Sequence, residues 1–145
     1  MRLLLCGYDG AMGKTFSSLY DVTAGYAPTQ TPETFPVFDD LNNINVDVDV
    51  IIDFSHFSLT LGIIDYAVKT KTPLIIATTG LSDEHHVSID EAAQEIPILQ
   101  AGNFSRGMNI MASITETLTQ SLPNYDMEIT ETHHQYKKDA PSGSA

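Results

Sequence analysis

Cationic side chains are scarce in this sequence: seven Lys and Arg stand against 19 Asp and Glu, for a formal net charge of −12. That balance argues against a nucleic-acid groove or an anionic membrane surface as partner. Cysteine occurs once, at Cys6, so no internal disulfide can form and the chain suits a reducing cytosol. Cys6 lies inside an apolar run and reads as a small core residue, not a nucleophile. No apolar stretch approaches the roughly 20 residues a membrane-spanning helix needs. The opening MRLLLCGYDG is too short in its apolar part for a signal peptide and reads as a strand. These features predict a cytoplasmic protein.

What is present is a core. At 145 residues with 42% hydrophobic content, the chain can bury one ordinary domain and little more. Five short apolar runs recur: Leu3 to Cys6, Val50 to Phe54, Pro73 to Ala77, Ile96 to Leu99 and Met127 to Thr130. The middle three lack an alternating polar face, as expected of parallel strands covered on both sides. Asp21 to Tyr26 is a weaker strand candidate. Between the runs, Phe57, Leu61, Ile64 and Val68 mark one face of a helix, as do Met108, Met111, Ile114, Leu118 and Leu122 after the N-cap Ser105. Asp83 to Glu95 suits a third. Residues Ala27 to Asn45, rich in Pro, Thr and Asn, read as a long connection with at most one short strand and one helical turn. Strands alternating with helices predict an α/β fold, a doubly wound parallel sheet. Pro123 and Asn124 mark a change of character, giving a dinucleotide-binding domain over 1–122 and the start of a second, α+β domain over 123–145, with its first strand.

Directly after the first run stands GYDGAMGK, with Gly7, Gly10 and Gly13. Glycine is needed there so that backbone can turn sharply, approach a pyrophosphate closely and pack a helix near the strand. The helix N-terminus then offers free amides to the phosphates. A ribose-binding acid is expected about 20 residues on. That place falls near Tyr26, Ala27 and Pro28, where no acid is present, and no Lys or Arg occurs between Lys14 and Lys69 to meet a 2′-phosphate. The choice between NADH and NADPH stays open on these residues.

In a doubly wound sheet, ligands bind beyond the carboxyl ends of the strands. Three loops fall there: DFSHF (53–57), ATTG (77–80) and AGNFSRGMN (101–109). Ser55, Ser82 and Ser105 are also natural helix caps. His56, His85 and His86 read as exposed polar residues.

The closing segment EITETHHQYKKDAPSGSA combines two histidines, two lysines and a turn whose Pro141 suits the start of a helix with anion-binding amides. As a metal site the histidine pair lacks a third ligand at a convincing spacing. The segment resembles the signature of the dihydrodipicolinate reductases of bacterial lysine biosynthesis, close to E-x-H-H-x-x-K-x-D-A-P-S-G-T-A. The glycine loop, DFS, TTG and A-x-N-x-S-x-G-x-N follow in the same order, so the resemblance covers nearly the whole chain. Ser144 stands where the pattern has Thr and keeps the hydroxyl.

The resemblance implies NADH- or NADPH-dependent reduction of 4-hydroxy-tetrahydrodipicolinate to tetrahydrodipicolinate. It implies that His133 protonates the reduced ring and that Lys137 shares the catalytic segment. His134, Lys137, Gly143 and Ser144 would contact the dicarboxylate substrate. Gly7, Gly10, Met12 and Gly13 would hold the cofactor, with Thr79, Gly80, Ala101, Asn103 and Phe104 near its nicotinamide. Members of the family continue past this motif into a domain that completes the substrate pocket and forms a homotetramer. The expectation for these 145 residues alone is therefore nucleotide binding with weak or absent turnover. Two rivals are a nucleotide-binding remnant without catalysis and a semialdehyde dehydrogenase. The latter needs a catalytic cysteine, which Cys6 inside the first strand cannot be.

Overall fold

A computed structural model describes residues 1–136 and Ser142. It has two compact units, Met1–Ala101 and Gly102–Ala145. The sequence places a domain boundary at 122/123; the units part ahead of the last helix.

The first unit is built on six parallel strands: β1 (Leu3–Cys6), β2 (Ala24–Tyr26), β3 (Val37–Phe38), β4 (Val50–Asp53), β5 (Leu74–Ile76) and β6 (Ile98–Gln100), in spatial order β3-β2-β1-β4-β5-β6. Connecting them are α1 (Ala11–Leu19), a single 3₁₀ turn (Leu41–Asn43), α2 (Phe57–Thr70) and α3 (Asp83–Ala92). The chain winds outward from β1 in both directions, so the sheet reverses between β1 and β4. Residues 27–45 contain one two-residue strand and one 3₁₀ turn, as their composition predicts.

Strand β1 shows why the apolar runs carry no polar face. Leu4 and Cys6 point to one side, into a cluster with Ile51, Ile63, Ile64, Leu74, Ile76 and Ile89 under α2 and α3. Leu3 and Leu5 point to the other, with Tyr8 and Ile52, against Phe16 of α1 and Phe54. Both faces are covered, so alternation along the strand selects between two cores instead of core and solvent. The helices close by standard means. Lys71, in the left-handed region at φ 53°, ends α2 as its C-cap, donating its N–H to the Ala67 and Val68 carbonyls.

In the second unit α4 spans Arg106–Ser121. Ser105 caps it, its Oγ accepting the Met108 N–H at 3.4 Å. Of the predicted apolar face, Met111, Ile114, Leu118 and Leu122 keep at least 40% exposure. The apolar run Met127 to Thr130 is not a strand: it pairs with nothing among the described residues. A four-residue extended segment has no structure of its own without a neighbouring ladder to satisfy its backbone.

Candidate functional site

Everything the sequence places near a cofactor in the first unit comes to the carboxyl ends of β1, β4, β5 and β6. Gly7 ends β1 in the left-handed region at φ 74°, its N–H donating to the Tyr26 carbonyl at 2.8 Å. A Cβ there would meet Ser55 Cα and N at 2.7 Å, so the glycine turn and the DFS loop are in backbone-to-backbone contact. Gly10 caps α1 and donates to the Gly7 carbonyl at 3.1 Å. Gly13 packs on the turn itself: a Cβ would strike the Gly7 carbonyl oxygen and approach Tyr8 Cα to 2.6 Å. Only bare backbone fits at these two places.

The N-terminus of α1 is thereby brought against the end of β1 with no acidic side chain in its first turn and no side-chain cap. Its first amides have no intrahelical carbonyl to meet, and the helix dipole adds a partial positive charge there. Such an arrangement can receive a phosphate through backbone alone. Met12, in the same turn, is 59% exposed.

The DFS loop is held by a buried carboxylate. Asp53, fully buried, accepts from the Ser55 N–H at 2.8 Å and the Ser55 hydroxyl at 2.5 Å through Oδ1. Its Oδ2 accepts from the Thr60 hydroxyl at 3.0 Å. Ser55 is thus not the cap of α2; His56 is, its Nδ1 accepting the Ser58 N–H at 3.3 Å. Beside Asp53 in the ladder lies Cys6, whose thiol is pushed well above its ordinary range by burial and by the Asp53 charge. That agrees with a core residue and not a nucleophile.

The TTG loop is tied to the DFS loop. The Thr78 hydroxyl lies 3.1 Å from the Ser55 carbonyl and 3.3 Å from that of Asp53. Thr79 and Gly80 follow, both exposed, with Gly80 at φ 78°. His85, expected at the surface, is buried to 7% exposure. Its Nδ1 accepts from the Ser82 N–H at 3.2 Å and meets the Ser82 hydroxyl at 2.7 Å. Its Nε2 lies 2.9 Å from the Phe57 carbonyl, which can only accept, so the proton sits on Nε2. One imidazole joins the start of α3 to the start of α2. His86 is exposed as expected. Ala101 ends the unit, donating to the Ile76 carbonyl at 3.1 Å.

Asn103, Phe104, His133 and His134 belong to the second unit. Asn103 Oδ1 accepts the Ser105 N–H at 2.7 Å, ahead of α4, and Phe104 is 48% exposed. His133 Nδ1 stands 3.8 Å from Glu131 Oε2, and His134 Nδ1 accepts the Tyr136 N–H at 3.2 Å. The Glu131 carboxylate also receives the Ser142 N–H, at 2.8 Å, and the Ser142 hydroxyl. The Ser142 backbone amide is thus occupied by a side chain of its own unit. Lys137, Gly143, Ser144 and the predicted helix start at Pro141 lie outside the described residues.

Comparison with known proteins decides the family. The family model described as dihydrodipicolinate reductase, N-terminus, matches residues 1–104, and its C-terminus counterpart matches residues 107–145. The chain belongs to the dihydrodipicolinate reductase family. Similar proteins include 4-hydroxy-tetrahydrodipicolinate reductases from Caldanaerobacter subterraneus, 40% identical over all of this chain and 60% of the relative, and from Exiguobacterium sibiricum, 43% identical over all of this chain and 59% of the relative. The chain thus spans about three-fifths of the length of the curated relatives it matches. Among solved structures, a dipicolinate-bound dihydrodipicolinate reductase from Paenisporosarcina sp. TG-14 superposes with a TM-score of 0.81 at 23% identity, over 99% of this chain and 62% of that one. A homoserine dehydrogenase from S. aureus shares the fold at a TM-score of 0.59 and 15% identity, over 70% of this chain and 32% of that one. The fold is Rossmann-like, and no helix among the described residues is long and apolar enough to cross a membrane.

Sequence reasoning missed Asp53, Thr78 and His85. Only Asp53 had a signal, as a carboxylate at the end of a strand otherwise wholly apolar. The carbonyls through which the other two tie one loop or helix to another lie 23 and 28 residues away in the chain.

Proposed function

We propose that this chain carries the cofactor-binding part and the catalytic signature of an NADH- or NADPH-dependent reductase converting 4-hydroxy-tetrahydrodipicolinate to tetrahydrodipicolinate, a step toward diaminopimelate and lysine. The observation that carries the proposal is the glycine turn: bare backbone at Gly7 and Gly13 sets the N-terminus of α1, which no side chain caps, at the end of β1. A pyrophosphate needs that arrangement, and a merely structural turn does not.

In this reading a bound nicotinamide supplies the hydride. Gly7, Gly10, Met12 and Gly13 hold the phosphates; Thr79, Gly80, Ala101, Asn103 and Phe104 serve the nicotinamide end. The Asp53 and Thr78 hydrogen bonds keep the DFS and TTG loops in one shape, so positioning does not have to be gained at the moment of reaction. His133 donates a proton to the reduced ring, a role suited to a histidine at neutral pH. Glu131 orients its ring. His134, Lys137, Gly143 and Ser144 meet the substrate carboxylates. Dipicolinate, bound in the similar structure, is a flat dicarboxylate of the same class.

Titration with NADH or NADPH, with and without dipicolinate, tests the reading. Saturable cofactor binding that tightens with dipicolinate is the expected result. Binding indifferent to dipicolinate favours a nucleotide-binding module without catalysis. Turnover by the 145 residues alone is a separate measurement, and ordinary enzyme rates would overturn the expectation that it is weak or absent.

A further inference from the structure

The segment after β2 stands where a dinucleotide fold receives the adenosine ribose, and here it is clamped from the glycine turn. Tyr8, the residue following Gly7, is fully buried. Its hydroxyl accepts the Thr31 N–H at 2.8 Å and lies 3.2 Å from the Thr31 carbonyl, to which it donates. Its ring packs edge-on against Phe35 at 5.9 Å, and both rings close over Gly25, where a Cβ would come within 2.8 Å of each. Residues 27–35 are thereby fixed to the phosphate-binding turn at their middle and at their end, with Pro28, Thr29 and Gln30 exposed.

The charges around that segment share one sign. It contains Glu33 and no cation, and Asp9 sits inside the glycine turn. Asp39 and Asp40 follow β3, whose Phe38 carbonyl accepts the Ala27 N–H at 3.1 Å. Both carboxylates act on Tyr26 at the end of β2, whose hydroxyl is raised above its ordinary range by burial first and then by neighbouring negative groups, these two included. Between Arg2 and Lys69 the only Lys or Arg is Lys14, an exposed residue of α1. A 2′-phosphate brings a charge of about −1.5 to −2 into this surrounding; a 2′-hydroxyl brings none and can bond to amide and hydroxyl groups such as those of Thr29 and Gln30.

We propose that the segment 27–35, clamped by the Tyr8 hydroxyl, forms the ribose end of the nucleotide site and selects NADH over NADPH. This rests on the nucleotide-binding reading above and goes beyond it, since that reading admits either cofactor.

Fluorescence titration of the 145-residue chain with each cofactor at low and high salt tests it. NADH binds tighter by about tenfold or more at low salt, and the gap narrows at high salt as repulsion is screened. Gln30→Lys supplies the missing cation and shifts the ratio of NADPH to NADH affinity toward NADPH by about fivefold or more. Tyr8→Phe keeps the ring, removes the clamp and weakens NADH with the thermal transition still cooperative. NADPH binding as tightly as NADH overturns the selection. Gln30→Lys without effect on the ratio overturns the placement of the segment, and unchanged NADH affinity in Tyr8→Phe overturns the clamp. Binding of neither cofactor overturns the nucleotide reading itself, a result distinguishable from all three.

Discussion

The Asp53 carboxylate and Ser55 are joined twice, through the serine N–H at 2.8 Å and its hydroxyl at 2.5 Å. This places a buried acid two residues ahead of the backbone that lies against Gly7. The fold tolerates the charge because Thr60 donates to the second oxygen, at 3.0 Å. A buried carboxylate with three donors is stable; three donors without their carboxylate are not.

Removing the acid therefore costs more than removing either hydroxyl. Asp53→Ala strands the Ser55 N–H, the Ser55 hydroxyl and the Thr60 hydroxyl, and is expected to destabilise by about 3 kcal/mol or more. Ser55→Ala and Thr60→Val each remove one donor and should cost about 1–2 kcal/mol. Urea unfolding of the three variants gives the order. Equal losses would mean that Asp53 acts through packing and not as the shared acceptor.

Two glycine substitutions should move stability in opposite directions. Gly13→Ala drives a methyl into Tyr8 Cα at 2.6 Å and Tyr8 C at 2.7 Å, backbone atoms that cannot turn aside. A loss of about 1–3 kcal/mol is expected, together with loss of nucleotide binding. Gly62, inside α2, has nothing within 4 Å of a Cβ, so Gly62→Ala should raise stability by about 0.5–1 kcal/mol. Thermal unfolding of both proteins checks the signs.

His85→Ala tests a residue that looks like surface in the sequence. It removes the bond to the Phe57 carbonyl and both contacts with Ser82, and should cost about 1–3 kcal/mol. An exposed histidine in a helix would cost within about 0.5 kcal/mol. Hydrogen exchange at the first turns of α2 and α3 should rise together in this variant, because one imidazole holds both.

How much of this was legible depends on where the partner of each residue lies. The parallel sheet was readable because Val50 to Phe54 and Pro73 to Ala77 lack a polar face, as strands covered on both sides do. Ile96 to Leu99 shows the same pattern but forms the edge strand β6, where Leu99 is 55% exposed. The glycine turn was readable because close backbone approach admits no other residue. His85 was not, since its helix is acidic and polar and its acceptor belongs to α2. Met127 to Thr130 was misread for the complementary reason: apolar composition favours a strand, but only a neighbouring strand makes one. The TTG and DFS loops were seen as separate, and it is Thr78 that joins them.

Arg2 and Asp49 supply a pH-dependent element at the opposite end of the sheet from the glycine turn. Asp49 accepts from the Arg2 backbone N–H at 2.6 Å, from Nε at 3.1 Å and from Nη2 at 2.6 Å. These bonds lower its carboxyl to about 2, against an ordinary 3.8. A depressed carboxyl contributes stability that is fully present above its unfolded value and is lost as pH falls through the folded one. The contribution should thus be intact at pH 5 and above (well over the ordinary 3.8) and decline between about 4 and about 2. Both side chains are 40–50% exposed, so solvent screens the pair and its contribution is small. Asp49→Asn should flatten the acid limb of the curve of melting temperature against pH, with little change near neutrality. An acid limb as steep in Asp49→Asn as in the parent would assign acid sensitivity to other carboxylates.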